Sequence, residues 1–289
     1  MKKFTIGTDA EFFLKANGHF ISAIPFIGDS EVGTKYNPIR FKDGSTLQRD
    51  NVAAEFATYP TDNKKDFVDS IRNSFKHLFD SLPKEVLVCI APSVIFADCE
   101  LEHPEAQEFG CDPDFNAWHN GEKNPKPCAI NSNLRTAGAH IHVGHNSVKS
   151  RGHKHSATAM EVKMKFIRLM DSVNGIASII FDKSSAAIRR KQLYGKAGAF
   201  RPTPYGCEYR VLSNWWLRSP VYARFMFDCV EKCFINFISG YYPNEKSVEA
   251  INYNDIKFAT HCWFRRDFPF SMYDASLYKP KSLKKEWRI

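Results

Sequence analysis

The stretch Gly7-Thr8-Asp9-Ala10-Glu11-Phe12-Phe13 sets two carboxylates one residue apart inside an apolar, alternating segment. Phe4, Ile6, Ala10, Phe12 and Leu14 share one parity, while Asp9 and Glu11 fall on the other. In a strand, parity decides the face, so burying the even side leaves the two acids adjacent on the opposite one. Like charges that close repel unless a cation stands between them, and a hard divalent ion such as magnesium is the natural neutraliser. A solvated strand face accounts for the same two residues, so the rest of the chain has to decide.

Three later segments repeat the pattern. In Asp50-Asn51-Val52-Ala53-Ala54-Glu55-Phe56-Ala57, Val52, Ala54 and Phe56 share a face and Glu55 points away from it. In Ala137-Gly138-Ala139-His140-Ile141-His142-Val143-Gly144, Ile141 and Val143 oppose His140 and His142. In Glu208-Tyr209-Arg210-Val211-Leu212, Glu208 and Arg210 oppose Tyr209 and Val211. Each has a plain explanation alone: His-x-His occurs on exposed strands, and Glu208 with Arg210 could be a surface ion pair. Together they favour one sheet whose polar face gathers acids, imidazoles and an arginine around two or three divalent cations.

The remaining periodicities supply helices and turns. Asn17-Gly18 predicts a hairpin returning through 19–24, and residues 28–45 read as loops around a short strand. Asp62 is the expected cap of a helix carrying Phe67, Ile71, Phe75, Leu78 and Phe79, with Pro83 ending it. The run 86–91 reads as a central strand covered on both faces. Residues 98–128 form a long excursion whose middle, 108–118, reads as an ordered substrate-facing loop. Thr158 to Glu161 resembles a capping box before a stripe from Val162 to Ile180, and Pro220 opens another helix. With no repeat and no Gly/Ser linker, a single α+β domain over 1–289 is the simplest division.

Composition narrows the classes. The 289 residues are 43% hydrophobic, enough for a substantial core. No apolar run approaches the roughly 18 residues of a membrane-spanning helix, and Asp9 and Glu11 interrupt any signal-peptide reading, so a cytoplasmic protein is expected. The eight cysteines include no Cys-x-x-Cys pair and read as reduced thiols. Much of the net charge of +8 falls in the tail 278–289 and in Lys149, Arg151 and Lys154. A basic tail of this kind is usually a solvated end, though it could touch nucleic acid.

Four motifs occur in order: Gly-x-Asp-x-Glu-Phe-Phe at 7–13, Ala-Gly-x-His-x-His at 137–142, Tyr-Gly-x-x-Gly-x-x-Arg-Pro at 194–202 and Glu-x-Arg at 208–210. In this set the chain resembles the glutamine synthetase and glutamate–cysteine ligase superfamily, and within it the phage-type carboxylate–amine ligases (amidoligases). The resemblance implies a mainly antiparallel curved sheet forming an open funnel, with helices on its outer face. It implies ATP, Mg2+ or Mn2+, a carboxylate substrate and an amine substrate, in the host cytoplasm if the chain is phage-encoded. Asp9, Glu11, Glu55, His140 and Glu208 would ligate the metals, Asp9 standing where glutamine synthetases carry a glutamate. His142 would lie near ATP or substrate, Arg210 would meet the transferring phosphoryl group, and Arg201 would assist it. Glu55 is also a candidate catalytic carboxylate. The activity implied is ATP-dependent amide formation through an acyl phosphate, releasing ADP and phosphate. Two alternatives stand beside it: a metal-dependent hydrolase using His140, His142, His145, Asp9 and Glu11, and a non-enzymatic phage structural or nucleic-acid-binding protein using the basic tail.

Overall fold

The opening stretch forms β1, Thr5–Ala16, and the sheet is built outward from it. A computed structural model describes residues 4–107, 114–125, 133–145, 157–264, 268–269 and 275–289. Asn17 and Gly18, both with positive φ, turn the chain into β2, His19–Ile21, as the Asn-Gly signal predicts. Next come β3 (Ile39–Arg40), β4 (Thr46–Asp50), β5 (Ala53–Ala57), β6 (Leu87–Cys89) and β7 (Ser93–Ile95). The later strands are β8 (Phe115–Asn116), β9 (Glu122–Lys123), β10 (Leu134–Thr136), β11 (Ala139–Gly144), β12 (Ala199–Pro202) and β13 (Gly206–Tyr209). The main sheet runs β3-β4-β5-β1-β11-β13-β12-β8-β9, with β2 and β6 added along the far half of β1. Its pairings are antiparallel, and among the described residues it does not close into a barrel.

The even face of β1 is buried as its parity requires. Ile6, Ala10, Phe12 and Leu14 are fully covered and join Ile141, Val143 and Tyr209 from β11 and β13 in the main core. Helices α1 (Lys64–Asp80), α3 (Ala157–Met170) and α6 (Pro220–Ile238) pack on this face. Phe12 meets Phe56 at 5.1 Å and Phe75 of α1 at 5.2 Å between ring centres, and each such buried ring contributes roughly 1.5–3 kcal/mol. The opposite face is covered only beyond Glu11. There Phe13, Val52, Ala53, Val94, Phe96, Ala106 and Ala137 form a smaller core under the β7–β10 ribbon and α2, Pro104–Gln107. Between the two cores lies the polar face.

Several expectations change. Thr46–Asp50, outside the predicted strands, forms β4 and pairs with β5 along its whole length. Asn51 takes a left-handed turn between them, which sends Val52 into the smaller core instead of onto the Phe56 face. The run 86–91 is an edge strand, not a central one: β6 pairs with β1 alone and Leu87 is exposed. Asn63, not Asp62, caps α1, its side chain accepting the Asp66 amide at 2.8 Å. α3 is described from Ala157, so Thr158 is within the helix, and a π-turn at Asp171–Gly175 joins it to α4, Ile176–Phe181. The excursion 98–128 contains α2, β8 and β9 in its described part, while 108–113, the middle of the expected substrate-facing loop, lies outside the described residues, as do Lys149, Arg151 and Lys154. The basic tail is docked: Trp287 is fully buried, 5.2 Å from Phe75, and its indole donates to the Leu217 carbonyl. No helix among the described residues is long and apolar enough to cross a membrane.

Candidate active site

Register places the polar side chains in one row across the sheet. Gln48, Glu55 and Glu11 face one another across β4, β5 and β1. Asp9 stands opposite His140, and His142, Glu208 and Arg201 follow across β11, β13 and β12. Residues from six strands therefore share one face, as the repeated parity requires.

The tightest group is Asp9, His142 and Glu208, each offering a ligand atom within 4.8 Å of the other two. It shares Asp9 and Glu208 with the expected ligand set and has His142 as its third member. His140 sits just behind, its Nδ1 3.1 Å from Asp9 and 3.5 Å from Glu208. Its Nε2 is buried and turned toward Gly138, where a Cβ would come within 2.6 Å of it. Glycine at 138 is therefore a packing requirement of the Gly-x-His spacing. The Gly138 amide donates to Glu11 at 2.6 Å and the Gln48 amide to Glu55 at 2.8 Å.

Arg210 is almost fully buried and donates to Glu208. Arg201 is looser, partly exposed and 3.8 Å from the same carboxylate. Three neighbours had no role assigned from the sequence: Tyr205, whose hydroxyl is 2.6 Å from His142 Nδ1, Asp114, within the expected substrate-facing loop and 3.8 Å from Arg210, and Tyr194, the first residue of the 194–202 motif and a hydrogen-bond acceptor for Arg210. The Tyr-Gly pairs at 194 and 205 were the available signal, but nothing in their spacing says which strand they face.

The electrostatics divide the row. Burial opposes ionisation of Asp9, yet the two imidazoles outweigh it and hold its carboxyl well below the usual range. Burial likewise opposes ionisation of Glu208, and Arg210 outweighs it. Burial, aided by Arg210, pushes His140 down, whereas Asp9 overcomes burial to raise His142. At the other end, burial and the charge of Asp50 push Glu11 up to about 8 and Glu55 well above its ordinary value.

The residues fit a divalent cation. Asp9 Oδ1 is buried without a hydrogen-bond partner, approached by imidazole nitrogens at 3.1 and 3.4 Å. Two carboxylates and an imidazole form a donor set for magnesium or manganese. A cavity of about 400 Å³ opens beside His142, walled by Thr5, Gly7, Thr8, Ala57, Thr58, Pro60, Gly144 and Tyr205, and His142 is its one ionisable group near neutral pH. His145 does not join the group: it packs edge-on against Phe234, 4.5 Å between ring centres, so the three-histidine site of the hydrolase alternative does not assemble.

Comparison with known proteins gives three findings. No curated protein matches the sequence. The fold is similar to a bifunctional glutathione synthetase from Pasteurella multocida, with a TM-score of 0.50 and 10% identity over 99% of this chain and 49% of that one. The chain thus spans about half the length of that enzyme, and at this identity the likeness is one of fold. Residues 132–236 match the family model described as phage phiEco32-like COOH.NH2 ligase-type 2. That segment, under half of the chain, carries His140, His142, Arg201, Glu208 and Arg210.

Proposed function

We propose that residues 1–289 act as one catalytic unit, an ATP-dependent carboxylate–amine ligase of the glutamine synthetase kind. The observation that carries the reading is the convergence of Asp9, His142 and Glu208 beside the buried Arg210. Asp9, His142 and Glu208 would hold one Mg2+ or Mn2+, with His140 behind them and Glu11 and Glu55 available to a second. Bound there, the cations would neutralise the triphosphate oxygens and polarise the terminal phosphoryl group.

The chain's own groups do the rest. A carboxylate is a poor electrophile, so the terminal phosphoryl group of ATP passes to a carboxylate oxygen, giving an acyl phosphate and ADP. The amine then attacks the acyl carbon and phosphate leaves. Arg210 presents its guanidinium where charge spreads over the phosphoryl group in flight, with Arg201 at the edge of the same path. The uncharged walls of the cavity beside His142 suit the nucleoside of ATP.

The test screens carboxylate and amine pairs for phosphate release from MgATP, identifying products by mass spectrometry. Nucleotide binding that survives unchanged in Glu11→Ala, Glu55→Ala and Glu208→Ala proteins would overturn the reading.

A further inference from the structure

Arg210 is tied down by a neutral group as well as by a charged one. Its Nε donates to the Tyr194 hydroxyl at 2.7 Å and its Nη2 donates to the same oxygen. On the other side Nη1 donates to Glu208 and lies 3.4 Å from His140 Nδ1. Tyr194 is itself held from behind. It ends α5, Ser185–Leu193, with an extended backbone, and its amide donates to the Arg190 carbonyl at 2.7 Å. The Arg190 guanidinium lies 5.6 Å from the centre of the Tyr194 ring and donates to the Val211 carbonyl at 2.8 Å. Gly195, at φ +75°, lets the chain pass, since a Cβ there would run into that guanidinium.

The chemistry of the acceptor matters. A carboxylate fixes a guanidinium and also cancels its charge, as Glu208 does on one side and Asp114, 3.8 Å from Nε, does at longer range; the phenol oxygen of Tyr194 fixes the plane without cancelling any more of it. An arginine that stabilises a phosphoryl group in flight needs a defined orientation before the reaction. We propose that Tyr194 is a positioning residue for Arg210, setting the plane of its guanidinium for phosphoryl transfer; this rests on the ligase reading above. Tyr194 touches Arg210, not the reacting atoms.

The test compares wild-type protein with Tyr194→Phe, Arg210→Lys and the double variant. Each is titrated with MgATP and with MgADP plus aluminium fluoride, a mimic of the phosphoryl group in flight, and the melting temperature is recorded. Tyr194→Phe keeps the ring and removes one oxygen. It should bind MgATP within about threefold of wild type, yet bind the mimic about 10- to 100-fold more weakly. In the Arg210→Lys background the same change should cost nothing further, because the orientation it protects is already lost. Equal weakening of ATP and mimic, wild-type binding of the mimic by Tyr194→Phe, or losses that multiply in the double variant would each overturn the proposal. If wild-type protein binds neither ligand, the ligase reading fails and Tyr194's role fails with it.

Discussion

The two ends of the acidic row are neutralised in different ways. At the β13 end, Glu208 is met by Arg210 and two imidazoles, and its carboxyl stays ionised despite burial. At the β5 end, Glu11 and Glu55 oppose each other with Asp50 nearby, served by the Gly138 amide and the Gln48 side chain, and both hold their protons far above the usual range. Burial is common to both ends, so the partner decides. One end carries its own positive charge; the other requires a proton or a cation.

The harshest way to break this contrast is to remove the built-in cation. Arg210→Met should destabilise the protein by about 3–5 kcal/mol in chemical denaturation, because it strands Glu208 as a buried charge. A loss under about 1 kcal/mol would mean the pair is better solvated than its burial implies.

The acidic end gives the second test. A carboxyl raised to about 8 in the folded state binds a proton that the unfolded chain has released above its ordinary value near 4.5. Its stabilisation is therefore complete below that ordinary value and is lost as pH rises through about 8. Metal-free protein should lose melting temperature over this window, Mg2+ should restore it at the alkaline end, and Glu11→Gln should flatten the profile. A flat wild-type profile would remove the distinction between the two ends.

A smaller effect sharpens the His142 side. Tyr205→Phe takes away the hydroxyl that fixes the imidazole through Nδ1, so Mn2+ affinity measured by calorimetry should fall about tenfold. Affinity equal to wild type would show that His142 needs no such support. An effect of similar size is expected of Gln48→Leu, which leaves Glu55 without its amide donor and should cost about 1–3 kcal/mol of stability in the metal-free protein. No measurable change would mean that Gln48 does not support the acidic end.

Parity made most of this site legible. Asp9, Glu11, Glu55, His140, His142 and Glu208 each oppose an apolar strand face in the sequence, and the structure puts all six on one side of the sheet. Parity could not order them along the row, because register depends on pairing between distant segments. Hence the tight trio contains His142, while His140 is wedged against Asp9, Glu208 and Arg210.

The structure also used polar and terminal segments that carry weak periodic signals. β4 has one fully buried apolar residue, Leu47, and Arg49 within it is satisfied by Glu105, far away in sequence at 2.7 Å. Trp287 shows no partner in a lysine-rich tail, yet Phe75 and the Leu217 carbonyl bury it. Asp114 and Tyr194 reach Arg210 from irregular chain, where neither period applies.

The central claim is that Asp9, His142 and Glu208 hold a divalent cation for the nucleotide. Crystals grown with Mn2+ and a non-hydrolysable ATP analogue test it by anomalous diffraction. The expected result is a manganese peak among these three side chains, touching the analogue's phosphate oxygens; ordered nucleotide with no peak there, or manganese bound elsewhere, would contradict it.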